Sequence, residues 1–324
     1  MDCIMAAVKV FSGMGIICVT LYGIRHYLST ISYMYRPYLL VGKVAKIHCY
    51  PVASCKGMVN SKAFCSEAGL RMLGISNCEF IVTKEAGQEY AINSPNGTMK
   101  EYFCEAMRDI SVGCDGKTVY FSKDNQHFQM NFKTKSKQKA RQVYRGRDII
   151  LAEDLGDEVS EWFSNVIGTE VRLHRCQKNV LSTTMGRQNL GSCTIHTEES
   201  IAYLRQWVEK SHELKAAYFR PNILIAGCDP FDEQRWTNLK IGNVYFSVKC
   251  PDVRVCTQSS DFNFPDCKPT MEERSEVSEA LCVDGFAFST TLGVNAVALT
   301  TGEICVGDPV YAFKEILLSS GQTL

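Results

Sequence analysis

Six short alternating or apolar runs, at 41–48, 79–83, 89–92, 110–114, 118–121 and 128–132, dominate the chain after its first forty residues. Turn signals such as Pro95-Asn96-Gly97 and Asp115-Gly116 separate several of them. Short strands at this spacing predict an all-β or barrel-like region. From Asp148 the period changes. Leu151, Leu155, Val159, Trp162, Phe163 and Val166 recur at helical spacing, and Gly168 stops the run. Thr197 reads as the N-cap of a second helix, with Glu198 and Glu199 complementing its dipole and Ile201, Leu204, Trp207 and Val208 on its buried face. From Asn222 the pattern returns to strands. The expected fold class is therefore α+β, rich in strands.

One stretch in the second half looks like a recognition element. Arg220, Pro221 and Asn222 stand directly before the short apolar run 223–226, which Gly227 breaks. Arg220 carries a planar fork of donors suited to phosphate or carboxylate. Pro221 fixes its own φ and predicts an extended Arg220. Asn222 can both donate and accept. Polar groups at the mouth of a strand are a common way to build a ligand site. The alternative is purely structural: an ion pair for Arg220 and a turn cap for Asn222.

Tyr218-Phe-Arg-Pro-Asn-Ile-Leu-Ile-Ala-Gly-Cys228, with Trp236-Thr-Asn-Leu-Lys-Ile-Gly-Asn-Val-Tyr-Phe246, resembles the second half of the MOSC domain. Three further segments agree in collinear order: 41–57, Gly69-Leu70-Arg71, and Val306-Gly-Asp-Pro-Val-Tyr311. The resemblance spans about 41 to 311 and is strongest to the mitochondrial amidoxime-reducing components. It implies a MOSC-type β-barrel domain at 148–315, an associated N-terminal β-rich barrel domain at 40–135, and an N-terminal membrane anchor helix. It also implies a molybdenum cofactor (molybdopterin) between the two halves, its metal held by one cysteine thiolate, a soft donor.

This chain keeps part of the family's site. In Tyr50-Pro-Val-Ala-Ser-Cys-Lys-Gly57 the family's lysine is Ala53, Ser54 is kept, and Lys56 is displaced. The family's next arginine falls at about Cys78. Arg220, Pro221 and Asn222 remain. A missing cation at the phosphate removes a charge-assisted hydrogen bond worth roughly 1.5–3 kcal/mol. The metal-ligand loop reads Cys250-Pro-Asp-Val-Arg-Val-Cys-Thr-Gln-Ser-Ser-Asp261. Held in register, the ligand position is Val255. A one-residue shift puts it on Cys256, with Arg254 two residues before. Cys256 is the preferred ligand and Cys250 the alternative. The candidate cofactor-binding set is thus Ser54, Lys56, Arg220, Asn222 and Arg254.

Residues 1–29 read as a membrane anchor. Between Lys9 and Arg25 lie 15 uncharged residues, a helix of roughly 22 Å against a hydrocarbon core of roughly 30 Å. Counting from Ile4, with Lys9 snorkelling, completes the crossing. Arg25, His26 and Arg36 follow it, which puts the body on the cytoplasmic side, and Tyr22, Tyr27, Tyr33, Tyr35 and Tyr38 suit an interfacial belt. A cleaved signal peptide is the competing reading, although no A-x-A box follows. The family resemblance favours an anchor in the outer mitochondrial membrane.

Formal net charge is zero, so no global basic field invites nucleic acid. The basic run 133–147 reads as a solvated connection, or else as a patch for an anionic membrane surface. Sixteen scattered cysteines include no C-x-x-C pair and imply free thiols in a reducing compartment. G-x-S-x-G, P-loop, H-E-x-x-H and Rossmann signatures are absent. His48, His174 and His196 stand singly and read as structural or surface residues. Two functions remain. One is a molybdenum-dependent oxidoreductase that takes electrons from a haem or flavin partner and reduces N-hydroxylated substrates such as amidoximes and hydroxylamines. The other is a membrane-anchored MOSC scaffold without the cofactor, acting as a non-catalytic binding module.

Overall fold

β1 (Leu39–Cys49) sets the architecture, because its partners lie at the far end of the chain. The computed structural model describes residues 38–85, 99–102, 104–132, 140–145, 148–182, 192–205, 216–251 and 292–314. After β1 come β2 (Met58–Asn60), β3 (Lys62–Ser66), β4 (Gly69–Met72), β5 (Ile75–Ser76) and β6 (Phe80–Glu85). Then follow β7 (Met99–Glu101), β8 (Ser111–Cys114), β9 (Thr118–Lys123), β10 (Gln126–Asn131), β11 (Arg141–Arg145) and β12 (Asp148–Asp154). Helix α1 (Asp157–Ile167) precedes β13 (Arg172–Ser182), β14 (Ser192–Thr197) and helix α2 (Glu198–Arg205). The last strands are β15 (Ile223–Ala226), β16 (Trp236–Ile241), β17 (Val244–Pro251), β18 (Val294–Ala298), β19 (Gly302–Cys305) and β20 (Pro309–Lys314).

Among the described residues the strands form two closed rings and two smaller sheets. One ring runs β15-β14-β18-β17-β16-β20-β1 and closes where β1 pairs with β15; β2 extends it beyond β1. The second ring is β11-β12-β13-β6-β7. The smaller sheets are β19-β3-β4-β5 and β10-β9-β8. The two halves of the chain therefore interleave: β1 completes a ring of late strands, and β19 joins a sheet of early ones. The expected wealth of strands is present, with two short α-helices among the described residues. The expected anchor at 1–29 lies outside the described residues, and no helix within them is long and apolar enough to cross a membrane.

Local chemistry explains how β1 fits. Val41, Val44 and Ile47 are buried, a spacing of three rather than two, and the step from Val44 to Ile47 spans a register slip between Val44 and Lys46 where β1 meets β15. A bulge of this kind changes which side chains face inward. Gly42 permits the contact: a Cβ there would lie 2.4 Å from the Ala226 carbonyl oxygen. The closing segment locks on the same strand. Val44 N–H donates to Asp308 O (2.9 Å) and Gly307 N–H to Val44 O (2.8 Å).

The strand runs at 41–48, 79–83, 110–114, 118–121 and 128–132 correspond to β1, β6, β8, β9 and β10 within a residue or two at most ends. Those at 89–92, and the turn at 95–97, lie outside the described residues. At the β8–β9 hairpin the Asp115 carboxylate accepts from Lys117 N–H (2.8 Å) and Thr118 N–H (2.7 Å), while Gly116 takes φ 92°. The helical spacing begins later than expected. Leu151 belongs to β12, and α1 starts only at Asp157. The reason is local: Gly156 has φ 103° and its N–H donates to the Asp154 carboxylate (2.8 Å), ending the strand in a turn. Phe163 is fully buried and meets Phe121 edge-on at 5.1 Å, which packs α1 on β9. Gly168, at φ 78°, closes the helix with its N–H on Ser164 O (2.8 Å). The basic run also holds more structure than a solvated connection. Its 141–145 portion is β11, a ring strand with Val143 fully buried.

Candidate functional site

Arg220 and Asn222 stand at the head of β15, and the structure gives them different tasks. Asn222 is 2% exposed and its amide is fully engaged by protein. Oδ1 accepts from Thr194 N–H (3.0 Å); Nδ2 donates to His48 O (3.2 Å) and Asn77 Oδ1 (3.0 Å). Its backbone N–H donates to Thr194 O (2.8 Å), and its carbonyl accepts from His48 N–H (2.8 Å). Asn222 therefore joins β14, the end of β1 and the 77–80 turn. The Thr194 hydroxyl, 3.0 Å from Arg220 O, completes the junction.

Arg220 is not extended. Its φ is 51°, in the left-handed region, despite the following proline. Its anchored side chain and carbonyl outweigh the local preference. One guanidinium N–H (Nη1) donates to Cys55 O at 2.7 Å, and the guanidinium lies 4.1 Å from the centre of the Tyr50 ring. A positive φ at a non-glycine costs of order 1–3 kcal/mol and persists where surrounding contacts over-determine it. Ser54 (φ 66°) and Cys78 (φ 54°) share this conformation. Their segments are joined through Tyr50 and Cys55. Cys78 N–H donates to Tyr50 O (2.8 Å), Phe80 N–H to Pro51 O (2.8 Å), and Tyr50 N–H to Asn77 Oδ1 (3.0 Å). The segment 50–57, the turn 77–80 and Arg220 thus form one strained, hydrogen-bonded cluster.

The sequence-predicted residues divide as follows. Ser54, half-buried, and Lys56, exposed, flank Cys55, so they lie in the same cluster as Arg220 and Asn222. Cys250 lies in β17, its backbone opposite Asn295 of β18. Arg254 and Cys256 lie outside the described residues, so the metal-ligand loop does too. Sequence pattern does not mark Tyr50, Cys55, Asn77 or Thr194, although Cys55 adjoins Ser54 and Tyr50 stands four residues before it. Only their contacts identify them.

The electrostatics of the cluster are those of a dry interior. Burial, with Arg220 pulling the other way, pushes the Cys55 thiol up to about 12, so it stays protonated at neutral pH. Burial and then Lys46 hold the His48 imidazole below its usual range. His174 and His196 are buried, and Cys55 and Cys78 are free thiols. At the end of β14, Glu233 from the turn at 232–235 is fully buried; its Oε2 accepts from Ser200 Oγ (2.8 Å) and Thr197 Oγ1 (3.1 Å). Burial raises its carboxyl to about 7 against these hydrogen bonds. Thr197 also accepts from Ser200 N–H (3.2 Å), the expected cap of α2.

Comparison with known proteins agrees with this architecture. The family model of the MOSC N-terminal beta barrel domain matches residues 41–170, and that of the MOSC domain matches 191–311. Mitochondrial amidoxime reducing component 2 of Macaca fascicularis is 30% identical over 293 residues, covering 84% of this chain and 83% of its own. Mitochondrial amidoxime-reducing component 1 of Homo sapiens is 26% identical over 294 residues, with the same coverage. A molybdenum cofactor sulfurase of Arabidopsis thaliana is 28% identical over 113 residues, 28% of this chain and 14% of that protein. The chain belongs to the MOSC-domain family, as a divergent relative of the mitochondrial amidoxime-reducing components.

Proposed function

We propose that this protein is a molybdenum-cofactor-dependent oxidoreductase that reduces N-hydroxylated compounds, tethered through residues 1–29 with its body facing the cytosol at the outer mitochondrial membrane. The observation that carries the reading is the cluster around Arg220. A planar cation on a left-handed residue is held against Tyr50 and Cys55, in the segment where the family resemblance puts the cofactor's anionic end. Strained backbone of this kind concentrates at functional sites. The described residues fit the phosphate end of a molybdopterin in that respect. Ala53 and Cys78, where the family has cations, offer weaker charge.

When bound, the cofactor supplies a two-electron metal centre. The chain's own residues do the rest. Arg220 binds phosphate through its in-plane N–H groups, with Ser54, Lys56 and Arg254 as further contacts. Asn222 holds the strand head that carries Arg220. Cys256 supplies the thiolate, with Cys250 as the alternative. The net change is an N-hydroxy group plus two electrons and two protons giving N–H and water. The electrons come from a haem or flavin protein.

A second reading is favoured by Ala53, Cys78 and the fully engaged Asn222 amide: a MOSC scaffold that no longer holds the cofactor and serves as a binding module. Metal analysis separates the two. Protein from a host that supplies the cofactor to other enzymes is expected to contain molybdenum. Cys256→Ser should lose both the metal and the reduction of an amidoxime, and Cys250→Ser should only weaken them. Wild type without molybdenum supports the binding module. Loss confined to Cys250→Ser moves the ligand to Cys250.

A further inference from the structure

We propose that Tyr50 is a positioning residue: its ring fixes the plane of the Arg220 guanidinium so that the in-plane N–H groups face a phosphate-bearing ligand at the 50–57 turn. The inference rests on the reading of this cluster as a phosphate seat. A cation–π contact uses the face of a guanidinium, whereas its five N–H donors lie in its plane. With its centre 4.1 Å from the guanidinium carbon, the Tyr50 ring restrains the group. The hydrogen bond from Nη1 to Cys55 O, 2.7 Å, adds a second restraint within the plane and stops rotation about the stacking axis. Thr194, 3.0 Å from the Arg220 carbonyl, fixes the backbone from which the side chain springs.

Tyr50 is itself held from several sides. It is 5% exposed. Its N–H donates to Asn77 Oδ1 and its carbonyl accepts from Cys78 N–H. The His48 ring stacks on it, with centroids 6.2 Å apart and planes at 16°. Gly57 leaves room for it, since a Cβ there would stand 2.5 Å from the ring. A ring fixed this firmly makes a rigid platform, and a pre-set arginine loses less freedom when it binds an anion. The positions of Tyr50 and Gly57 in the sequence carry no such message; only the approach of Arg220 from β15 shows it.

The test uses the full chain with inorganic phosphate as the probe, titrated calorimetrically, beside molybdenum content and thermal unfolding. The variants are Tyr50→Phe, Tyr50→Leu, Arg220→Ala and the Tyr50→Leu/Arg220→Ala double variant. Tyr50→Phe keeps the ring face and should bind within about twofold of wild type. Tyr50→Leu should weaken phosphate binding about tenfold, the scale of one cation–π contact. The double variant should bind no more weakly than Arg220→Ala alone, because Tyr50 acts only through Arg220. Multiplying effects in the double variant would overturn the proposal. So would normal phosphate binding by Tyr50→Leu alongside a defective Arg220→Ala, a result that leaves the phosphate seat intact. Normal binding by Arg220→Ala removes both ideas together. If Tyr50→Leu does not fold, Gly57→Ala displaces the ring while leaving Tyr50 in place. The same tenfold loss is then expected, and unchanged affinity would overturn the proposal.

Discussion

Replacing Asn222 with alanine should cost stability in an amount that can be read from its contacts. The side chain links three other segments, counting one bond to each: Thr194 N–H at 3.0 Å, His48 O at 3.2 Å and Asn77 Oδ1 at 3.0 Å, with the Thr194 hydroxyl sharing Oδ1 at 3.2 Å. A net gain of about 1 kcal/mol per bond gives about 3 kcal/mol, and stranding buried partners raises the total towards about 5 kcal/mol. For a unit of this size that lowers the melting temperature by roughly 5 °C at the smaller figure. Urea unfolding of wild type and Asn222→Ala measures it, with an unchanged m-value as the check that only stability moved. Asn222→Asp is a sharper probe. It keeps an acceptor for Thr194 N–H but faces His48 O and Asn77 Oδ1 with a carboxylate, and should unfold more easily than the alanine variant at neutral pH. A loss below about 1 kcal/mol in Asn222→Ala would refute the role of Asn222 in joining these segments. If such a stable variant also failed to bind phosphate, Asn222 would be a ligand contact instead of a brace for Arg220.

Two other outcomes follow from separate parts of the molecule. Folded Glu233 keeps its proton up to about pH 7 against an ordinary 4.5, so stability should fall as pH rises between those values, by up to about 3 kcal/mol, and level off above. Glu233→Gln should flatten that slope, as melting temperatures at pH 5 and pH 8 will show; an unchanged slope assigns it to another group. A chain lacking residues 1–29 should stay in the supernatant after carbonate extraction and melt cooperatively, whereas recovery in the membrane pellet would place the anchor elsewhere.

Local order was largely legible. Alternation marked β8, β9 and β10 because side chains of a strand face opposite ways, a short apolar run marked β1, and Gly168 marked the end of α1 because only the left-handed region closes that turn cheaply. Thr197 announced the start of α2 for a similarly local reason: its hydroxyl meets an N–H three residues on. Leu151 misled because its spacing fits a helix and a strand equally well over one turn, and only pairing of β12 with β11 and β13 chose between them. The Arg-Pro-Asn element was visible as a polar cluster before a strand, but its inner division of labour was not. Whether an amide faces a ligand or the protein depends on what stands across from it, and His48, Asn77 and Thr194 come from three distant segments. The backbone of Arg220 shows the same limit. Proline predicts an extended neighbour from local sterics, yet contacts with Tyr50, Cys55 and Thr194 hold it left-handed. Periodicity and turn chemistry act within a few residues and are written in the chain. Ring closure by β1, the interleaving of the two halves and the seating of Arg220 are contacts between remote segments, and only packing in three dimensions decides them.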